Sequence, residues 1–118
     1  MPGLERMITL AWPNRILHPN ARPHWAAKAK AAKAYRHAAG WLTRASGDRV
    51  EGTGPVDVHI TFYPPNKRSH DLDGCLSAIK NGLDGIADAL GVDDSRFTLR
   101  IEKGAVIKGG EIRIIITG

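Results

Sequence analysis

The sequence predicts an α+β fold: one small domain over residues 1–118, with a mixed four-stranded sheet and two helices in the order β-α-β-α-β-β. Three observations carry that expectation. "VDVHITF" (56–62) alternates apolar and polar residues, the period of a half-buried strand. Leu72, Leu76, Ile79, Leu83, Ile86 and Leu90 recur at steps of four and three, which puts them on one face of an amphipathic helix. The 24–45 stretch is rich in Ala, free of Pro and interrupted only by Gly40, so it reads as a second helix.

The remaining elements fall between these. "RMITLAW" (6–12) reads as a short strand, followed by a Pro- and Asn-rich loop over 13–24. Loops are expected at 47–55 and 63–70, the second containing two prolines. "FTLRIEKGAVI" and "EIRIIIT" flank "KGG", and Gly109-Gly110 suits a tight hairpin turn that needs positive φ. A chain of 118 residues buries roughly two-thirds of its unfolded surface, enough for one core. No run of 18 apolar residues exists and no basic-then-apolar leader opens the sequence, so no membrane association is expected. The one cysteine, Cys75, cannot form an internal disulfide; it fits a reducing cytoplasm and reads as a small buried hydrophobe.

Charge is divided unevenly. The net charge is +5. Residues 1–50 carry nine Lys or Arg against two acids, and residues 51–118 carry eight basic and ten acidic groups. Basic groups gather on the first helix as Lys28, Lys30, Lys33 and Arg36, with Arg15, Arg22 and His24 in or beside the loop before it. Their irregular spacing suits phosphate contacts rather than base readout. Trp25 and Tyr35 are candidates for stacking on unpaired bases, or, with Trp41, for anchoring the core; for Trp41 the core is expected.

The acids gather around the second helix. Asp71 and Asp73 precede it, Asp84 and Asp88 lie along it, and Asp93 and Asp94 follow it. In an extended stretch, residues i and i+2 point to the same side. Asp71 and Asp73 then offer two hard oxygen ligands, as Mg²⁺ takes from protein. Asp73 alternatively serves as a helix N-cap. Lys67 and Arg68 stand just before the pair. His70 adjoins Asp71 but lacks a second spaced His or Cys, so a loop role is expected for it. His59 reads as a residue of an exposed strand face.

Taken in order, "KRSHDLDG", "KNGLDGI" and "GVDDSR", with the earlier "ITLAWP" and "AYR", resemble the RusA family of Holliday-junction resolvases over nearly the whole chain. That resemblance implies a dimeric, Mg²⁺-dependent endonuclease that cuts four-way junction DNA by paired symmetric nicks. It implies metal ligands at Asp71, Asp73 and Asp94, with Asp93 as partner or alternate ligand, and catalytic assistance from a lysine. Two departures stand out. Gly74 replaces the family's usual Asn, and Ser77 stands where the usual Lys would be. Lys80, seven residues beyond Asp73 on the same helical face, is the expected substitute, its side chain leaning back toward the carboxylates. The DNA-binding set is then Arg15, Arg22, Lys28, Lys30, Lys33, Arg36, Lys67 and Arg68.

Two other classes remain open. A catalytically impaired junction-binding protein would keep the aspartates as caps. A D-x-D enzyme of nucleotides or sugar nucleotides would need a larger nucleotide-binding domain, and no Gly-rich phosphate loop or Rossmann fingerprint follows a strand here. One geometric expectation concerns assembly. A continuous helix over 75–90 would be about 24 Å long, too long for Asp73 and Asp94 of one chain to share an ion. Antiparallel pairing in a two-fold dimer would solve this by sharing each metal site between two chains.

Overall fold

The computed structural model describes residues 5–18, 25–68 and 70–118. Strands β1 (Glu5–Ala11), β2 (Val56–Tyr63), β3 (Phe97–Lys103) and β4 (Glu111–Thr117) form one sheet in the order β1-β4-β2-β3. β4 runs antiparallel to both β1 and β2, whereas β3 is parallel to β2. The fold is therefore α+β with a mixed four-stranded sheet, as the sequence predicts.

The alternation in β2 and β4 decides which face is covered. Val56, Val58, Ile60 and Phe62 point to the same side as Ile112, Ile114 and Ile116, and all seven are buried. Ile8 and Leu10 of β1 pair in register with Ile114 and Ile112 and extend that surface. Helix α1 (Trp25–Ser46) and a helical segment after β2 cover it, through Ala39, Ile79, Leu83, Ile86 and Leu90. The other face stays exposed or half-buried. His59 there pairs with Glu102, as expected for an exposed strand face, and the Arg113 guanidinium lies 4.5 Å over the Tyr63 ring.

Two expectations about the elements and their pairing fail, each for a physical reason. The 97–117 segment is not a hairpin: β3 and β4 lie on opposite sides of β2. Residues 104–110 carry the chain across, with Gly104 and Ile107 donating backbone N–H bonds to Phe62 and Pro64 carbonyls. Gly109 and Gly110 do adopt positive φ, but in a turn on that crossing. The second helix is also two helices, α2 (Leu72–Ala78) and α3 (Lys80–Leu90), making three in all. Ile79 between them is fully buried with φ −99° and ψ 5°. Each helix answers to a different neighbour. α3 packs on α1, where a Cβ at Gly85 would overlap the Arg36 carbonyl oxygen, whereas α2 contacts β3 and the 3-10 turn at Arg15–Leu17. The apolar stripe continues through the break, because Ile79 itself turns into the core.

The tryptophans differ from expectation at one position. Trp41 is 63% exposed rather than a core anchor, and Trp25 is 78% exposed. Tyr35 does anchor: its hydroxyl donates to the Ala11 carbonyl at 2.9 Å, and burial pushes its pKa upward. Among the described residues, no helix is long and apolar enough to cross a membrane.

Candidate metal and nucleic-acid site

The first turn of α2 separates two clefts. Asp71 is the N-cap: its backbone is extended (φ −76°, ψ 143°) and its Oδ1 accepts the Gly74 N–H. Asp73 is already in the helical first turn. The capping role therefore falls to Asp71, not Asp73. The two carboxylates do not point to one side, because the i, i+2 rule holds only while the backbone stays extended.

Asp73 opens onto a cleft of about 370 Å³ that Lys80, Asp84 and Asp94 also line. Leu76, Leu83, Phe97 and Leu99 form its apolar floor. Lys80 is the first residue of α3, so the break at Ile79 places it at the cleft. Asp94 arrives by a separate route. Asp93 caps a 3-10 turn over Asp94–Arg96 by accepting the Ser95 N–H at 2.8 Å, which holds the Asp93 carboxyl below its ordinary pKa. Arg96 Nε then donates to the Gly54 carbonyl at 3.0 Å, tying the turn to the 52–54 loop. Asp73, Lys80 and Asp94 of one chain thus line the same cleft. The break at Ile79 departs from the continuous helix over 75–90 on which sharing each site between two chains rests.

Three carboxylates face one ammonium here, all hard oxygen donors with no Cys or His among them. Among the described residues, no group of three or more His, Cys, Asp or Glu side chains is arranged to hold a metal ion. The oxygen-only lining is of the donor type that Mg²⁺ takes, one or two carboxylates with waters completing its shell, but these side chains are not gathered into a ready-made metal group. Asp84 was missed as a lining residue, although its place four residues after Lys80 puts both on one helical face. Asp93 faces elsewhere, into a groove with Asp84, Asp88, Asp94 and Arg36.

Asp71 opens onto the second cleft, of about 550 Å³, between the 12–18 and 65–71 segments. Arg15, His18, Arg68 and His70 line it together with Trp12 and Phe62. His70 is held in its loop by a 3.0 Å hydrogen bond between Nε2 and Asn66 Oδ1, as the loop role predicts. Cys75 lies buried beneath this cleft. Burial, and secondarily the Asp71 charge, push its thiol pKa up. Gly74 is constrained from this side: a Cβ there would come within 2.8 Å of His18 Nε2 and 3.1 Å of Asp71 Oδ1.

The basic residues scatter more than the sequence suggests. Arg15 and Arg68 meet in the second cleft, and Lys67 is exposed on the same loop. Lys30 and Lys33 are exposed on α1 and Lys28 is half-buried. Arg36 is drawn off that surface by Asp88, which accepts from both its Nε (3.1 Å) and Nη2. Lys33 instead shares a groove between α1 and α3 with His37 and Arg44, which sequence reasoning missed despite their helical spacing of four and seven. Arg22 and His24 lie outside the described residues.

No family model matches the sequence. A Xylella fastidiosa protein, whose name reads only "Uncharacterized protein", is 41% identical over 128 aligned positions, which span 100% of this chain and 81% of the relative. The chain belongs to the family of that Xylella fastidiosa protein.

Proposed function

We propose that the chain is a RusA-type endodeoxyribonuclease that uses Mg²⁺ to cut four-way DNA junctions, working in the cytoplasm as a homodimer. The observation that carries this reading is the meeting of Asp73, Lys80 and Asp94 in one cleft from three separate segments of chain. Asp73 and Asp94 would hold the ion, with Asp84 adding negative charge nearby. Asp71 stands on the far side of the first turn of α2, one oxygen committed to Gly74. Bound there, Mg²⁺ would supply Lewis-acid polarisation of a phosphodiester and would lower the pKa of an attacking water. The protein's own residues do the rest. The Lys80 ammonium offsets negative charge growing on phosphate oxygens or on the departing 3′ oxygen. Arg15, Arg68, Lys67 and Lys33 position the phosphate backbone without reading sequence. The edge strand β3 and the half-exposed Leu99 beside the cleft give a second copy a surface to pack on.

A second reading, a junction-binding protein that does not cut, is favoured by one observation: the D-x-D pair is split between two clefts, with Asp71 acting as a cap. A labelled four-way junction incubated with the protein, with and without Mg²⁺, separates the two. Paired symmetric nicks that require Mg²⁺ support the nuclease. Tight binding with no nicks supports the second reading, and nucleotide turnover with neither would move the protein to another class.

A further inference from the structure

The flanks of the carboxylate cleft differ in charge, and that difference gives a bound strand a direction. On one flank lies the acidic groove of Asp84, Asp88, Asp93 and Asp94, whose Arg36 is already engaged by Asp88. On the other, across the first turn of α2, lies the cleft lined by Arg15, Arg68, His18 and His70. A DNA strand carries one negative charge per nucleotide. Leaving the carboxylate cleft, it is repelled by the first flank and attracted by the second.

The second cleft has the chemistry of a nucleotide site. Its volume of about 550 Å³ exceeds the 370 Å³ of the carboxylate cleft and lies within the usual range for small-molecule sites. Arg15 and Arg68 supply planar donors suited to phosphate oxygens. Trp12 supplies an aromatic surface for a base. Its ring is fixed from two sides, by edge contacts with Phe62 (centroids 6.4 Å apart, 84° between planes) and His70 (5.4 Å, 76°). The glycine at 74 also gains a role. With no Cβ there, the His18 ring can close the cleft wall beside Asp71, where the resemblance leads one to expect Asn.

We infer that this cleft is a subsite for one unstacked nucleotide of the DNA strand, next to the position held in the carboxylate cleft. Arg15 and Arg68 take its phosphate, Trp12 takes the face of its base, and His18 and His70 border the base edge. The direction of the strand rests on the nuclease reading above; the nucleotide site stands on its own residues.

The test needs no cutting. The full chain, in Mg²⁺-free buffer, is titrated with the 5′-phosphorylated thymidine dinucleotide while the indole N–H signals are followed by NMR, the Trp12 signal being assigned by its absence in Trp12→Phe. The Trp12 signal should shift in a saturable way. In the Arg15→Gln/Arg68→Gln variant the affinity should fall about tenfold or more, the scale of losing one charge-assisted hydrogen bond. Arg44→Gln, in the groove between α1 and α3 that neither cleft includes, should leave the dinucleotide affinity within about twofold, well under that tenfold loss. A Trp12 signal unmoved by millimolar dinucleotide, or moved equally in the double Arg variant, overturns the subsite. Those results combined with Mg²⁺-dependent nicking would leave the nuclease reading standing. A saturable Trp12 shift without nicking would instead keep the subsite and remove the nuclease.

Discussion

Asp71 and Asp73 are two residues apart, yet they open onto clefts of opposite character. Asp73 shares its cleft with Asp84, Asp94 and one lysine, over an apolar floor; Asp71 shares a larger one with two arginines, two histidines and a tryptophan. The difference arises from a single helical turn. Asp71 is still extended and caps α2, whereas Asp73 has entered the helix and swung round its axis. One short motif therefore opens onto both an acidic cleft and a cationic one, because the backbone changes conformation between its two acids.

The largest expected effect tests whether the carboxylate cleft is the chemical one. Asp73→Asn and Asp94→Asn should each slow junction cutting by about a hundredfold or more, the scale of losing a few kcal/mol of charge stabilisation, with junction affinity little changed. Asp93→Asn should fall far short of that, because Asp93 lies outside the cleft. Equal losses for Asp93 and Asp94 in single-turnover assays would erase the distinction between them.

Next comes the packing that shapes that cleft. Gly85→Ala drives a methyl into the Arg36 carbonyl and should destabilise the fold by about 1–3 kcal/mol in urea unfolding. Since α3 carries Lys80, the same variant should disturb the carboxylate cleft more than the Trp12 cleft. An unchanged denaturation midpoint would mean that α1 and α3 can separate without cost.

Asp71 gives a smaller and more diagnostic effect. Asp71→Ala should cost about 1 kcal/mol through the lost cap, while Asp71→Asn, which caps equally well, should cost little. The Asn variant then reports the charge alone, and any loss of cutting it shows belongs to chemistry rather than folding. If Asn destabilises as much as Ala, capping is not what Asp71 does.

The smallest effects separate the arginines. Arg68→Gln should flatten the log–log salt dependence of junction binding by about one unit. Arg36→Gln should leave that slope unchanged, because Asp88 already holds the guanidinium. Equal slopes for the two variants would mean that the cationic cleft does not meet phosphate.

Much of the fold was legible because its signals are periodic. Burial in β2 and β4 follows the period-2 alternation, and Ile79, Leu83, Ile86 and Leu90 are all buried as the helical stripe requires. What stayed hidden depended on partners distant in sequence. The break at Ile79 leaves the stripe intact, so periodicity cannot register it; it reflects α3 meeting α1 while α2 meets β3. The placement of β4 between β1 and β2 is similarly invisible to a local reading, since Gly109-Gly110 forms a tight turn whether or not its flanking strands pair. For the site, the residue types of Asp73, Lys80 and Asp94 stood out in the sequence. Their meeting in one chain did not, because it depends on that same break. The Trp12 cleft left still less trace, as its walls come from two loops some fifty residues apart.

The central claim is that Asp73 and Asp94 of one chain hold one divalent cation, and Mn²⁺ titration of the ¹⁵N-labelled protein tests it most directly. The paramagnetic ion should broaden the amide signals of Asp73, Lys80 and Asp94 first and together, with Asp84 close behind, and Asp73→Asn should abolish that selectivity. Broadening centred on Asp71 and His70 instead, or an identical pattern in Asp73→Asn, would contradict the account.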